Sequence, residues 1–164
     1  MERFQSSKLE RVLKQLEEDR KIYSQEELDN IVFLDFDGVL NLDIVNSGSG
    51  RTKIPMRNLN HLCLDYNFSI VVISSWRSEV NYQELLYESG LDSRIKILGA
   101  TDVLGTSKEI EIIEYIENHN NINKFIVLDD GCFDELKKYQ VQPIFYKGFD
   151  DEKYIEAVEL IESL

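Results

Sequence analysis

A chain of 164 residues, 43% hydrophobic and 30% charged, is sized for one soluble domain and can bury a core without disulfides. A net charge of −13 argues against a broad nucleic-acid footprint, because an acidic surface repels phosphate backbones. No apolar run approaches the ~20 residues that span a bilayer. The opening MERFQSSKLERVLKQLEEDR has no apolar signal core, so a cytoplasmic location and no membrane partner are expected. Cys63 and Cys132 share no ligand spacing with each other or with His61 and His119, so reduced thiols are expected and structural zinc is not.

In chain order, Leu9, Val12, Leu13, Leu16 and Tyr23 recur at helical spacing, which predicts an amphipathic helix over 8–23. Ser24 and Glu27 fit a capping box. Residues 1–28 read as a helical extension and 29–164 as the main domain. The run Ile31–Leu34 predicts a strand covered on both faces, ending at Asp35. A Gly- and Ser-rich loop over 42–54 leads to a helix over 56–66. Strands are expected at 68–74, 94–98, 124–129 and 142–146. Helices are expected at 78–89, from Thr106 or Ser107 to about 118, after Gly131, and at 150–162. This alternation predicts a Rossmann-like α/β three-layer sandwich, with a mainly parallel five-stranded sheet and helices on both faces.

In such sheets the ligand lies beyond the carboxyl ends of the strands. Three strand ends carry polar residues: Asp35-Phe36-Asp37-Gly38, Ser74-Ser75-Trp76-Arg77 and Asp129-Asp130-Gly131. Four converging carboxylates resist joint ionisation unless a cation is bound, and hard oxygen donors without His or Cys point to Mg²⁺. Lys108, near a helix start, and a hydroxyl would supply donors for a charged group. Phosphate fits this set, because phosphoryl transfer needs mostly positioning and charge stabilisation. Lys96 and Lys124 are the rivals of Lys108. Trp76 reads as a packing residue and Asp134 as a helix-start residue. Arg77 has two readings, a substrate-phosphate ligand or the partner of a neighbouring acid.

DFDGVLN, VVISS, Lys108 and VLDD, in that order over residues 31–146, resemble the four motifs of the haloacid dehalogenase (HAD) superfamily of phosphatases. The resemblance implies that Asp35 is the nucleophile, forming an aspartyl-phosphate, and Asp37 the general acid/base. It implies that Ser74 holds the phosphoryl group, with Ser75 the adjacent rival, and that Lys108 offsets charge. Asp35, Asp37 through its backbone carbonyl, Asp129 and Asp130 would hold Mg²⁺. The short gaps at 42–55 and 99–106 resemble a capless member, whose open site suits large substrates.

The expected partner is a phosphorylated substrate, small or macromolecular. SSWR and the general layout resemble HAD domains of RNA-repair proteins, which makes a polynucleotide-end phosphatase the alternative. A protein or small-molecule phosphatase is equally compatible, and a non-catalytic binding domain on the same fold is a further class. Between Asn41 and Leu64 the only acid is Asp43, so Arg51, Lys53 and Arg57 form a local basic reversal suited to an extra phosphate.

Overall fold

The computed structural model describes residues 7–44 and 50–164. Five parallel strands make one sheet in the order β3-β2-β1-β4-β5. They are β1 (Asp29–Leu34), β2 (Ser69–Val72), β3 (Ile97–Ala100), β4 (Ile122–Leu128) and β5 (Gln140–Val141). The helices are α1 (Lys8–Arg20), α2 (Lys53–Tyr66), α3 (Tyr82–Glu88), α4 (Lys108–Glu117) and α5 (Asp151–Ser163).

The period-2 alternation of a strand divides the core in two. Val32, Leu34, Ile70, Val72, Ile126 and Leu128 face one side, with Leu59 and Leu62 of α2 and Ala157 and Ile161 of α5. Ile31, Phe33, Val71, Ile73, Phe125 and Val127 face the other. There they meet Leu9, Val12 and Leu16 of α1 and Ile112, Ile113 and Ile116 of α4. The apolar stripe of α1 is therefore buried against the sheet and α4. No helix of the described residues is long and apolar enough to cross a membrane.

Three expectations need correction. The third strand starts at Ile97, not at 94, because Asp92 holds the preceding residues in a turn. Its Oδ1 accepts from Arg94 N–H at 2.9 Å and its carbonyl from Ile95 N–H at 3.0 Å. No α-helix lies between Gly131 and β5; the chain bends to a 3₁₀ turn at Lys137–Tyr139, so Asp134 starts no helix. Side chains take the backbone groups a helix would pair: Gln140 Nε2 donates to the carbonyls of Asp129 and Gly131, and Glu109 Oε2 accepts from Leu136 N–H.

The fifth strand is only Gln140–Val141. Pro143 cannot donate to a ladder. The Ile144–Tyr146 run is instead the near side of an exposed turn, closed by an antiparallel bridge between Ile144 and Gly148. The loop expected over 42–54 falls partly on 45–49, outside the described residues.

Candidate active site

The carboxyl ends of β1, β2 and β4 lie side by side, since β1 pairs with both neighbours. Asp35 N–H continues the ladder to the Leu128 carbonyl at 3.0 Å, and Ile73 N–H reaches the Leu34 carbonyl at 2.9 Å. Sheet pairing thus fixes where the polar residues after each strand begin.

Carboxylate oxygens of Asp35, Asp129 and Asp130 come within 4.8 Å of one another. Asp35 and Asp129 are buried, at 4% and 2% exposure. Lys108 is the first residue of α4, whose N-cap Ser107 accepts from Ile110 N–H. Its Nζ lies 3.1 Å from Asp35 Oδ1 and 3.1 Å from Asp129 Oδ2. Lys96, just before β3, and Lys124, early in β4, sit at the opposite ends of their strands.

Burial, then the Asp129 charge, pushes the Asp35 carboxyl up to about 6, against the opposing pull of Lys108. Burial and Asp129 also raise Asp130. Burial alone would lower the Lys108 ammonium, but Asp35 and Asp129 outweigh it and raise it. Three acids share one ammonium, so the cluster carries excess negative charge in a poorly hydrated place. A hard divalent cation on carboxylate oxygens fits both the donor type and the charge.

The turn after β1 is built so that Asp130 can approach. Phe36 carbonyl accepts from the N–H groups of Val39, Leu40 and Asn41. Gly38 has φ +80°, and a Cβ there would lie 2.5 Å from Asp130 Cγ. Asn41, itself left-handed at φ 52°, accepts from Gly38 N–H through Oδ1 at 2.9 Å. On the β4 side, Asp129 Oδ1 accepts from Gly131 N–H at 2.7 Å.

Asp37 stands outside the carboxylate group. Its side chain is exposed, and its Oδ2 accepts from the Trp76 indole N–H at 2.9 Å. Trp76 packs on the core, as expected, but this second role has no mark in the sequence. Ser74 is buried and its Oγ accepts from Trp76 N–H at 3.2 Å, which leaves its own O–H to donate; Ser75 is exposed.

Arg77 takes the acid-partner reading. With 6% of its side chain exposed, it pairs with Glu111 at 2.9 Å. It also donates to the carbonyls of Ile73, Ser74, Thr101 and Asp102. Arg57 pairs with Asp151 at 2.6 Å, joining α2 to α5. Arg51 and Lys53 are exposed on either side of Thr52, whose hydroxyl donates to the Asn41 carbonyl at 2.6 Å. A cavity of about 510 Å³ lies at the opposite end of the sheet, lined in part by Leu13, Arg20, Lys124, Tyr139 and Leu164. Of the candidate residues only Lys124, the rival of Lys108, lines it.

A family model described as the HAD domain in Swiss Army Knife RNA repair proteins matches residues 31–154. No curated protein and no solved structure matched the chain.

Proposed function

The chain belongs to the family of HAD domains in Swiss Army Knife RNA repair proteins, and on that premise we propose that it is a Mg²⁺-dependent phosphomonoesterase working through Asp35. The observation that carries this reading is Lys108 Nζ set 3.1 Å from both Asp35 and Asp129, inside a three-carboxylate cluster. Structural ion pairs seldom gather three acids around one half-buried ammonium. A phosphoryl-transfer site needs that arrangement, because its charge is completed by a cation and by the substrate.

Asp35, Asp129 and Asp130 would hold Mg²⁺, which supplies charge neutralisation for the phosphoryl oxygens. Asp35 carboxylate attacks phosphorus and the bond from phosphorus to the ester oxygen breaks. Asp37 gives its proton to the departing oxygen. In the second half Asp37 takes a proton from water, whose oxygen attacks the phosphorus of the aspartyl-phosphate, freeing phosphate and Asp35. Lys108 stays an ammonium and offsets charge on Asp35 and the phosphoryl group. The Ser74 hydroxyl donates to a phosphoryl oxygen.

The test is phosphate release from a simple aryl phosphate, with and without Mg²⁺, by the wild-type chain and by Asp35→Asn. Turnover that needs Mg²⁺ and vanishes in Asp35→Asn is expected. Full turnover in Asp35→Asn would remove the nucleophile assignment.

A further inference from the structure

The turn from Ile144 to Gly148 has unusual chemistry at its tip. Exposed turns favour Gly, Pro, Asn, Asp and Ser. Here the tip is Phe145-Tyr146-Lys147, with Phe145 58% and Tyr146 69% exposed. Among the described residues neither ring stacks on another aromatic ring. The turn is also firmly held. Lys147 and Gly148 N–H both donate to the Ile144 carbonyl at 2.9 Å.

Its anchor is the catalytic turn itself. Phe149 N–H donates to the Val39 carbonyl at 2.7 Å, and Asn41 Nδ2 donates to the Phe145 carbonyl at 3.4 Å. Gly148, at φ +66°, lets the backbones meet: a Cβ there would lie 2.6 Å from the Val39 carbonyl oxygen. Asn41 therefore holds Gly38 with one side-chain atom and the aromatic turn with the other. Through its carbonyl it also holds Thr52, the neighbour of Arg51 and Lys53. Two exposed rings and a group of cations are thus tied to one residue, three positions from Gly38.

The ledge carries cations of its own. Lys147 and Lys53 are exposed. The first two acids after the turn are engaged elsewhere: Asp150 caps α5 and Asp151 pairs with Arg57. Exposed aromatic faces beside cations, on a turn whose backbone is held, suit an unpaired nucleotide, whose base stacks while its phosphates meet the ammonium groups. A phosphopeptide offers charge but no regular planar face.

Resting on the phosphomonoesterase reading, we infer that Phe145 and Tyr146 form a stacking ledge for the terminal base of a single-stranded oligonucleotide whose end phosphate is presented to Asp35. Lys147 and Lys53 meet its backbone phosphates. The ledge makes the substrate a nucleic-acid end and limits the footprint to a nucleotide or two, which an otherwise acidic chain tolerates.

The experiment compares end-phosphorylated single-stranded oligonucleotides with the same oligonucleotides made abasic at the terminal position, and with a phosphoserine peptide. KM is read for phosphate release, and anisotropy reads binding of a labelled oligonucleotide to the full chain carrying Asp35→Asn. Phe145→Ala with Tyr146→Ala should weaken KM and binding for the base-bearing end by about fivefold to one-hundredfold. It should leave the abasic end unchanged, and Tyr146→Phe should restore most of the loss. Equal handling of base-bearing and abasic ends by wild type overturns the ledge. So does a preference for the phosphopeptide that the same variants abolish. If no substrate, aryl phosphate included, releases phosphate, the catalytic reading fails while the binding arm still judges the ledge.

Discussion

The indole N–H of Trp76 donates to Asp37 Oδ2 across 2.9 Å, while the backbone N–H of the same residue donates to Ser74 Oγ across 3.2 Å. One residue thereby positions a group from the end of β1 and another from the end of β2. Asp37 is exposed, and an exposed carboxylate without this contact would sample several rotamers. Trp76→Phe keeps the packing and the backbone donor and removes only the indole N–H. Its cost should track the need for a proton on the leaving oxygen. We expect kcat on an alkyl phosphate to fall about tenfold, in line with a lost charge-assisted hydrogen bond. A p-nitrophenyl ester, with its good leaving group, should change less than threefold. Equal losses on both esters would mean that Trp76 supports the site as a whole and not Asp37.

Gly38 is required twice over. Its φ of +80° costs an L-residue about 1–2 kcal/mol, and its missing Cβ makes room for Asp130. Gly38→Ala should therefore lower the unfolding free energy by about that amount and, separately, displace Asp130. Stabilisation of the chain by Mg²⁺ in a thermal melt should shrink, and activity should drop at least tenfold. A variant that loses stability yet keeps the full Mg²⁺ shift would place Asp130 outside the metal group.

The Asp35 carboxyl is pushed up to about 6 in the folded chain, chiefly by burial, and would titrate near 4 once unfolded. The folded state therefore binds this proton more tightly. Its stabilising effect is complete below the unfolded value and is lost as pH rises through about 6. Without metal, this group should make the chain more stable as pH falls from 7 towards 5, by about 1 kcal/mol. Asp35→Asn should flatten that slope and raise metal-free stability at pH 7 while abolishing turnover. Urea unfolding at several pH values, with chelator present, reads all three effects. Stability that falls from pH 7 to 5 would contradict the buried, charged state of Asp35.

The positions of Asp35, Asp129, Asp130 and Lys108 are legible in the sequence because each abuts a regular element. A strand covered on both faces must be apolar, so the first polar residue after it marks the carboxyl end of the sheet. Ser107 caps a helix with a plain periodic pattern and so locates Lys108. What escapes is chemistry set by long-range contact. Nothing near Trp76 announces Asp37, which is 39 residues away. The Ile144–Tyr146 run has the composition of a buried strand, and composition does not tell a strand from an exposed aromatic turn. Gly148, close against Val39, makes the difference, and that closeness exists only in the folded chain.

Arg77 and Glu111 give the last test, because the same arginine also suits substrate phosphate in the sequence. In the fold its guanidinium joins the ends of β2 and β3 to α4 through Glu111 at 2.9 Å and four carbonyls. Glu111 also accepts from Leu104 N–H at 2.9 Å, which fixes the segment leading into α4. The pair stands three residues, about one helical turn, from Lys108. Both side chains are 6% exposed, so either left alone is a buried, uncompensated charge. Glu111→Ala should cost about 3 kcal/mol of unfolding free energy. Arg77→Met should cost more, because it also strips four carbonyls of their donor. Both variants should lower kcat through the displaced Lys108, with KM for an oligonucleotide changing little. The opposite pattern for Arg77→Met, near-normal stability with a large rise in KM, would make Arg77 a substrate ligand and not a tie between β2, β3 and α4.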